Sequence, residues 1–396
     1  MKRKAIVVNK QMVISTIFML IILLPVLGIV YLVLYFTGTM FLMPFVVMLF
    51  LSWMIMYVTK SLKNKKHQKI MHYVIGGMLF ISVLIAIPGL YHKTRPVVTD
   101  TEVDLHVYQP FHPQSKAVKL NEAATLQIED DLPVIDGATA LYPLYAAFVQ
   151  AVYPEKEYPP YDSEVMSNRT GLAYENLING AADIIFVAAP SSEQLEFAKS
   201  ARRQLELTPI GKEAFVFFVH DKNPVESLRT DQLKGIYSGE ITNWKEFGGK
   251  NSDIRAFQRA ENSGSQTALQ HFMGSTPIMD PPVEDVASLM GTIIDVVSDY
   301  RNYPNAIGFT FRYYATEMVE NHDIRLLSIN GVEPTVENIK SGEYPLTNEF
   351  YAVTAGSTNP HIDDFITWIL SEQGQEIVEK TGYVPINEPG TMIDED

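Results

Sequence analysis

The chain has 396 residues, no cysteine and a formal net charge of −15. This excludes disulfides, thiol catalysis and cysteine-ligated metal sites, and argues against a nucleic-acid partner, which demands a basic surface. The charge is unevenly placed: residues 1–99 hold no acidic side chain and 11 of the 31 Lys and Arg, so residues 100–396 carry 20 basic and 46 acidic side chains, a net −26.

Three uncharged, mainly apolar runs, residues 12–36, 40–58 and 70–90, open the chain. Each is about the ~20 residues that a helix needs to cross a ~30 Å hydrocarbon core. A cleaved signal peptide has one short apolar stretch, so three in succession predict three transmembrane α-helices in a membrane anchor over residues 1–91. Basic loops stay in the cytoplasm. Lys2, Arg3, Lys4 and Lys10 precede the first run and Lys60, Lys63, Lys65, Lys66 and Lys69 lie between the second and third, while the 37–39 link is uncharged. The expectation is a multi-pass protein of the cell membrane, in contact with the lipid bilayer, with its N-terminus cytoplasmic and everything after Tyr91 extracytoplasmic.

Residues 92–131 mix Pro, Gln and Lys without a sustained period and read as a linker that hugs the surface of the C-terminal domain. From residue 132 short β-rich runs alternate with helical patterns. The run VID leads through GAT into a helix with Leu141, Leu144, Tyr145, Phe148, Val149 and Val152 on one face. Then come a helix at 173–179 closed by Gly180, a strand at 183–189, a helix at 193–205 and a strand at 214–220. A helix at 231–237, a strand at 254–259, helices at 266–273 and 283–300 and a strand at 306–311 complete the series. Such alternation predicts an α/β fold with a mainly parallel sheet, in two lobes at this length.

In such sheets ligands sit where strand ends turn into helices. Two junctions share one chemistry, DGAT (136–139) and RAENSGSQT (259–267), and SNRTG (167–171), again just ahead of a helix, is a third candidate. Each places small or hydroxyl residues at the amino end of a helix, where N–H groups lack intrahelical partners and the dipole favours an anion. Arg259 adds a planar fork of donors suited to phosphate, sulfate or carboxylate. Taken singly each loop also reads as ordinary capping. Enzyme signatures are poor: SGS (263–265) is not a G-x-S-x-G elbow, no H-E-x-x-H occurs, and FGGKNS (247–252) lacks the first glycine of a P-loop. No enzyme activity, cofactor or metal is expected.

GATALYPLY, AADIIFVAAPSSEQ, SLRTDQLKGIYSGEITNWKEFGG, RAENSGSQTAL, NAIGFTFRYYA and INGVEPTVENIKSGEYPL together resemble the phosphate-binding protein family of ABC importers, in order and spacing, over residues 132–386. The resemblance implies a two-lobed type II periplasmic-binding-protein fold over residues 132–396, with lobe 1 at about 132–225 and 320–390 and lobe 2 at about 226–319. It implies that the lobes close over inorganic phosphate or a similar oxyanion, and an ABC permease as partner. Carried over by position, Thr139 and Ala140 donate from the first loop, Thr170 from the second, and Arg259 forms the charge pair. Ser263, Gly264 and Ser265 cradle the anion, and Glu261 orients the arginine. The helical N-terminus departs from the family pattern, as does Ala188, which stands where members have an Asp that accepts the proton of bound phosphate. That departure predicts weaker discrimination against sulfate, unless another group such as Asp136 reaches in. An oxyanion sensor signalling through the three helices is the alternative function.

Overall fold

The computed structural model describes residues 103–281, 286–287, 290–298, 303–319 and 322–386, with eleven scattered positions before residue 85. The chain divides into two compact units, residues 1–97 and 98–396. Among the described residues no helix is long and apolar enough to cross a membrane. The three expected spans lie almost wholly outside the described residues.

In the second unit, β1 (Ile135–Gly137) leads through a 3-10 turn (Thr139–Leu141) into α1 (Tyr142–Val152). Pro143 sits in the first turn of α1, where its missing N–H costs nothing. Next come α2 (Arg169–Asn179), closed by Gly180 at φ 77°, and β2 (Ile184–Ala188). The helix α3 (Ser192–Ser200) opens with a reciprocal capping box between Ser191 and Gln194. Strand β3 (Glu206–His220) is followed by β4 (Ser227–Leu228), α4 (Thr230–Tyr237), β5 (Arg255–Ala256), β6 (Gln258–Arg259) and α5 (Gly264–Met273). Then β7 (Val286–Ala287), α6 (Met290–Ser298) and β8 (Ala306–Phe311) lead to β9 (Ile324–Leu326), β10 (Ser328–Ile329) and α7 (Val336–Lys340). The last elements are β11 (Thr347–Thr354), α8 (Ile362–Leu370), α9 (Glu372–Thr381) and β12 (Val384–Pro385).

The main sheet has the order β1-β2-β11-β3-β8-β5, with β12 and β9 also on β3. It is mixed, not mainly parallel: β1–β2 and β5–β8 are parallel, whereas β11 runs antiparallel to both β2 and β3, and β3 antiparallel to β8, β9 and β12. The cause is β3 itself. Its first half pairs with β11 from Glu206 to Ala214, and its second half with β8 and β9 from Phe215 to His220. One strand therefore runs through two hydrophobic cores. The first contains Ile135, Tyr145, Phe148, Phe186, Phe365 and Trp368. The second contains Phe217, Leu233, Tyr237, Trp244 and Phe309.

Three further sequence expectations change here. The supposed linker is a strap built into the first core: Leu105, Tyr108, Ala117 and Ile128 are buried there, and the Ile128 amide donates to Val152 O at 2.8 Å. Leu327, Ile329, Ile339, Tyr344 and Leu346, expected with the first lobe, pack in the second core because β10 pairs with β4. Residues 286–287, read as helix, form β7 beside β6.

Candidate oxyanion site

The site is built from loops that hang on the ends of β1 and β6. On the first side, Asp136 is fully buried in β1. Its Oδ1 accepts from the amides of Gly137 at 2.7 Å and Asn168 at 2.8 Å, and its Oδ2 from Asn168 Nδ2 at 2.9 Å and Asn176 Nδ2 at 2.7 Å. Four donors on one carboxylate fix the loop ahead of α2 to the strand, so Asp136 organises the site and does not reach into it. The Tyr145 ring stacks on Phe186 at 5.2 Å, and its hydroxyl donates to Met166 O at 2.8 Å, holding the same loop from below. Arg169 opens α2 in the left-handed region, φ 66°.

Gly137 has a packing reason. A Cβ there would lie 2.6 Å from Phe186 O and 2.8 Å from the Tyr145 ring. The following Ala138 and Thr139 line a cleft at the helix entrance. Leu141 N donates back to Ala138 O at 2.9 Å, so the amides of Thr139 and Ala140 precede the first closing bond of the turn.

On the second side, Arg259 ends β6 and is 5% exposed. Its backbone amide donates to Gln266 Oε1 at 3.0 Å, and Gln266 Nε2 donates to Gln258 Oε1 at 3.1 Å, so a buried glutamine on α5 fixes the strand end to the helix. Ser263 caps α5 by accepting from Gln266 N at 3.3 Å. Its hydroxyl proton stays available, while Gly264 and Ser265 present first-turn amides.

The two sides meet across a cleft of about 180 Å³. Thr139, Thr170, Arg259, Ser263 and Gly264 line it, with Arg169 and Glu261. Ala140 lines a smaller adjoining cavity of about 30 Å³, together with Ala138, Thr170 and Gly264. Ser265 is fully buried behind the cleft, and among the described residues its hydroxyl has no hydrogen-bond partner. The approach is close: a Cβ on Gly264 would lie 2.9 Å from Thr170 Oγ1 and 3.6 Å from Ala188 Cβ. Glu261 departs from its expected role. It is exposed at the cleft and accepts from Gln270 Nε2 at 2.8 Å, and no ion pair joins it to Arg259 among the described residues.

Two contributors were not read from the sequence. Asn262, at φ 61°, joins the two sides: its Oδ1 accepts from Ser191 Oγ at 2.8 Å, its Nδ2 donates to Glu193 Oε2 at 2.6 Å and its carbonyl accepts from Gln194 Nε2 at 3.4 Å. Glu213 is buried in β3 and lines the smaller cavity. Burial pushes its carboxyl up to about 7, against the lowering effect of two backbone donors and of Arg312. A carboxyl beside the apolar run AFVFFV was the only sequence signal for it.

Residues 127–373 match the PBP superfamily domain. Among curated relatives, the phosphate-binding protein PstS of Bacillus subtilis is 28% identical over 259 residues, 64% of this chain and 80% of that protein. The phosphate-binding protein PstS of Borreliella burgdorferi is 26% identical over 231 residues, 56% of this chain and 82% of that protein. A crystal structure from Clostridium perfringens, described as a putative phosphate ABC transporter substrate-binding protein with bound phosphate, is 26% identical with a TM-score of 0.52 and covers 66% of this chain and 100% of that one. With the domain match spanning more than half of its length, the chain belongs to the PBP superfamily.

Proposed function

We propose that this protein is a membrane-tethered, extracytoplasmic solute-binding protein that captures phosphate or a related oxyanion between its two lobes and presents it to an ABC permease. One observation carries the reading: a recessed guanidinium, Arg259, and the amino ends of three helical segments converge on one cleft from opposite sides. Fixed amides and a desolvated guanidinium are what a compact, fully charged anion requires. Thr139, Ala140 and Thr170 donate from one side, and Arg259, Ser263, Gly264 and Ser265 from the other. The role is binding, with no chemical step. The names of the PstS relatives and the phosphate in the Clostridium perfringens structure support the choice of anion.

The tether rests on the three apolar runs and their flanking lysines. An alkaline phosphatase fusion after Asp396 is expected to be active and a cytoplasmic reporter at the same place silent; the reverse pattern removes the extracytoplasmic assignment. Three runs exceed what a simple anchor needs, which favours a second reading in which occupancy is signalled through the membrane. Phosphate uptake in a strain lacking the protein separates the two, since transport is lost only under the first.

A further inference from the structure

Resting on the oxyanion reading above, we infer that Glu213 is a proton-exchanging wall of the binding site: when a divalent oxyanion enters the cleft, Glu213 takes a proton from solvent and is held neutral while the anion stays bound.

The geometry is that of a shared cavity. Glu213 lines the space of about 30 Å³ whose other walls include Ala138, Thr170 and Gly264, and these three also line the oxyanion cleft. The carboxyl is fixed in place: its Oε1 accepts from Ala214 N at 2.8 Å and its Oε2 from Tyr313 N at 3.2 Å. It sits on the strand that runs through both cores.

Charge around it is poorly balanced. From the turn after β8, Arg312 favours the ionised form and Glu317 opposes it. The Tyr313 and Tyr383 rings stand against it, stacked at 4.5 Å, and Glu349 of β11 lines the same cavity. Burial is the largest effect and leaves the carboxyl near the midpoint of its titration at neutral pH. A further negative charge on the other side of the residues that line both cavities favours the neutral form. Thermodynamic reciprocity then requires that deprotonating Glu213 weakens the anion by the same factor.

The consequence is proton uptake coupled to binding. Near pH 7 about half of the empty sites are ionised, so occupancy draws about half a proton per anion, and affinity falls by up to about tenfold per pH unit above that point. The test is calorimetric titration of the full chain in detergent with phosphate and with sulfate, in buffers of different ionisation enthalpy, from pH 6 to 9. Wild type is compared with Glu213→Gln. Sulfate does not titrate in this range, and the titration of phosphate is common to both proteins and cancels. Expected are wild-type proton uptake near pH 7 and its loss, with a flattened pH profile, in Glu213→Gln. Wild type that binds phosphate with no proton uptake beyond that of the anion itself overturns the inference, whether or not the variant folds. So does a folded Glu213→Gln with undiminished uptake. Wild type that binds neither anion overturns the parent reading instead.

Discussion

Asp136 shows how a residue outside the cleft determines what the cleft can do. Its carboxylate accepts four hydrogen bonds from Gly137, Asn168 and Asn176, which hold the first and second loops in one arrangement. Asp136→Ala leaves buried donors unsatisfied, each at about 1–3 kcal/mol, so a loss of at least ~3 kcal/mol in unfolding free energy is expected; a change under ~1 kcal/mol in chemical denaturation would contradict the role. Its place at a strand end next to GAT was visible in the sequence, but its asparagine partners lie 32 and 40 positions away and were not. Glu213 gives a second residue-scale expectation. Its carboxyl titrates near 7 when folded and near 4.5 ordinarily, so below about pH 4.5 both states are protonated and its contribution is full. As pH rises through that window the unfolded chain releases its proton first, and the contribution is lost by about pH 7. At ~1.4 kcal/mol per pH unit this is about 3 kcal/mol. Unfolding followed through the buried Trp244 and Trp368 should show wild type losing that much relative to Glu213→Gln between pH 4 and 8; parallel profiles would contradict it.

Among the elements, those with a regular apolar period were legible and those bent by a close approach were not. Strand β8 was read at its observed bounds and α4 within a residue of its own, and the apolar face read for α1 falls on the observed helix. The first half of β3 was missed: Pro209 and Gly211 are residue types that a strand interior disfavours. In the fold Pro209 pairs with Tyr351 beside the register shift, and Gly211 lies against the Phe350 ring, which a Cβ there would meet. Helix α5 begins two residues earlier than its apolar period suggested, since Gly264 and Ser265 belong to its first turn. Gly264 is the sharpest test at this scale. A methyl group there presses on Thr170 Oγ1, whose β-branched side chain has few alternatives. Gly264→Ala should therefore weaken phosphate binding by about tenfold or more with little change in thermal stability, and an unchanged affinity would show that the two sides do not need to approach this closely.

At the scale of the whole molecule, the alternation of strands and helices made an α/β fold legible, but not the sharing of strand β3 between two hydrophobic cores. The motif GAT, the hydroxyl-rich RAENSGSQT and Arg259 were read from sequence and are brought together in one cleft. Asn262, which bonds across it to Ser191, Glu193 and Gln194, was not, since nothing local in Glu-Asn-Ser announces partners some seventy residues back. The central claim is that this cleft holds an oxyanion by a guanidinium and fixed amides. Calorimetric titration of the full chain with phosphate, wild type beside Arg259→Ala, tests it most directly. Removing one partner of a buried charge pair costs about 2–5 kcal/mol, so the account predicts one phosphate per wild-type chain and at least ~30-fold weaker binding in the variant. A folded Arg259→Ala protein that binds phosphate as tightly as wild type would contradict it.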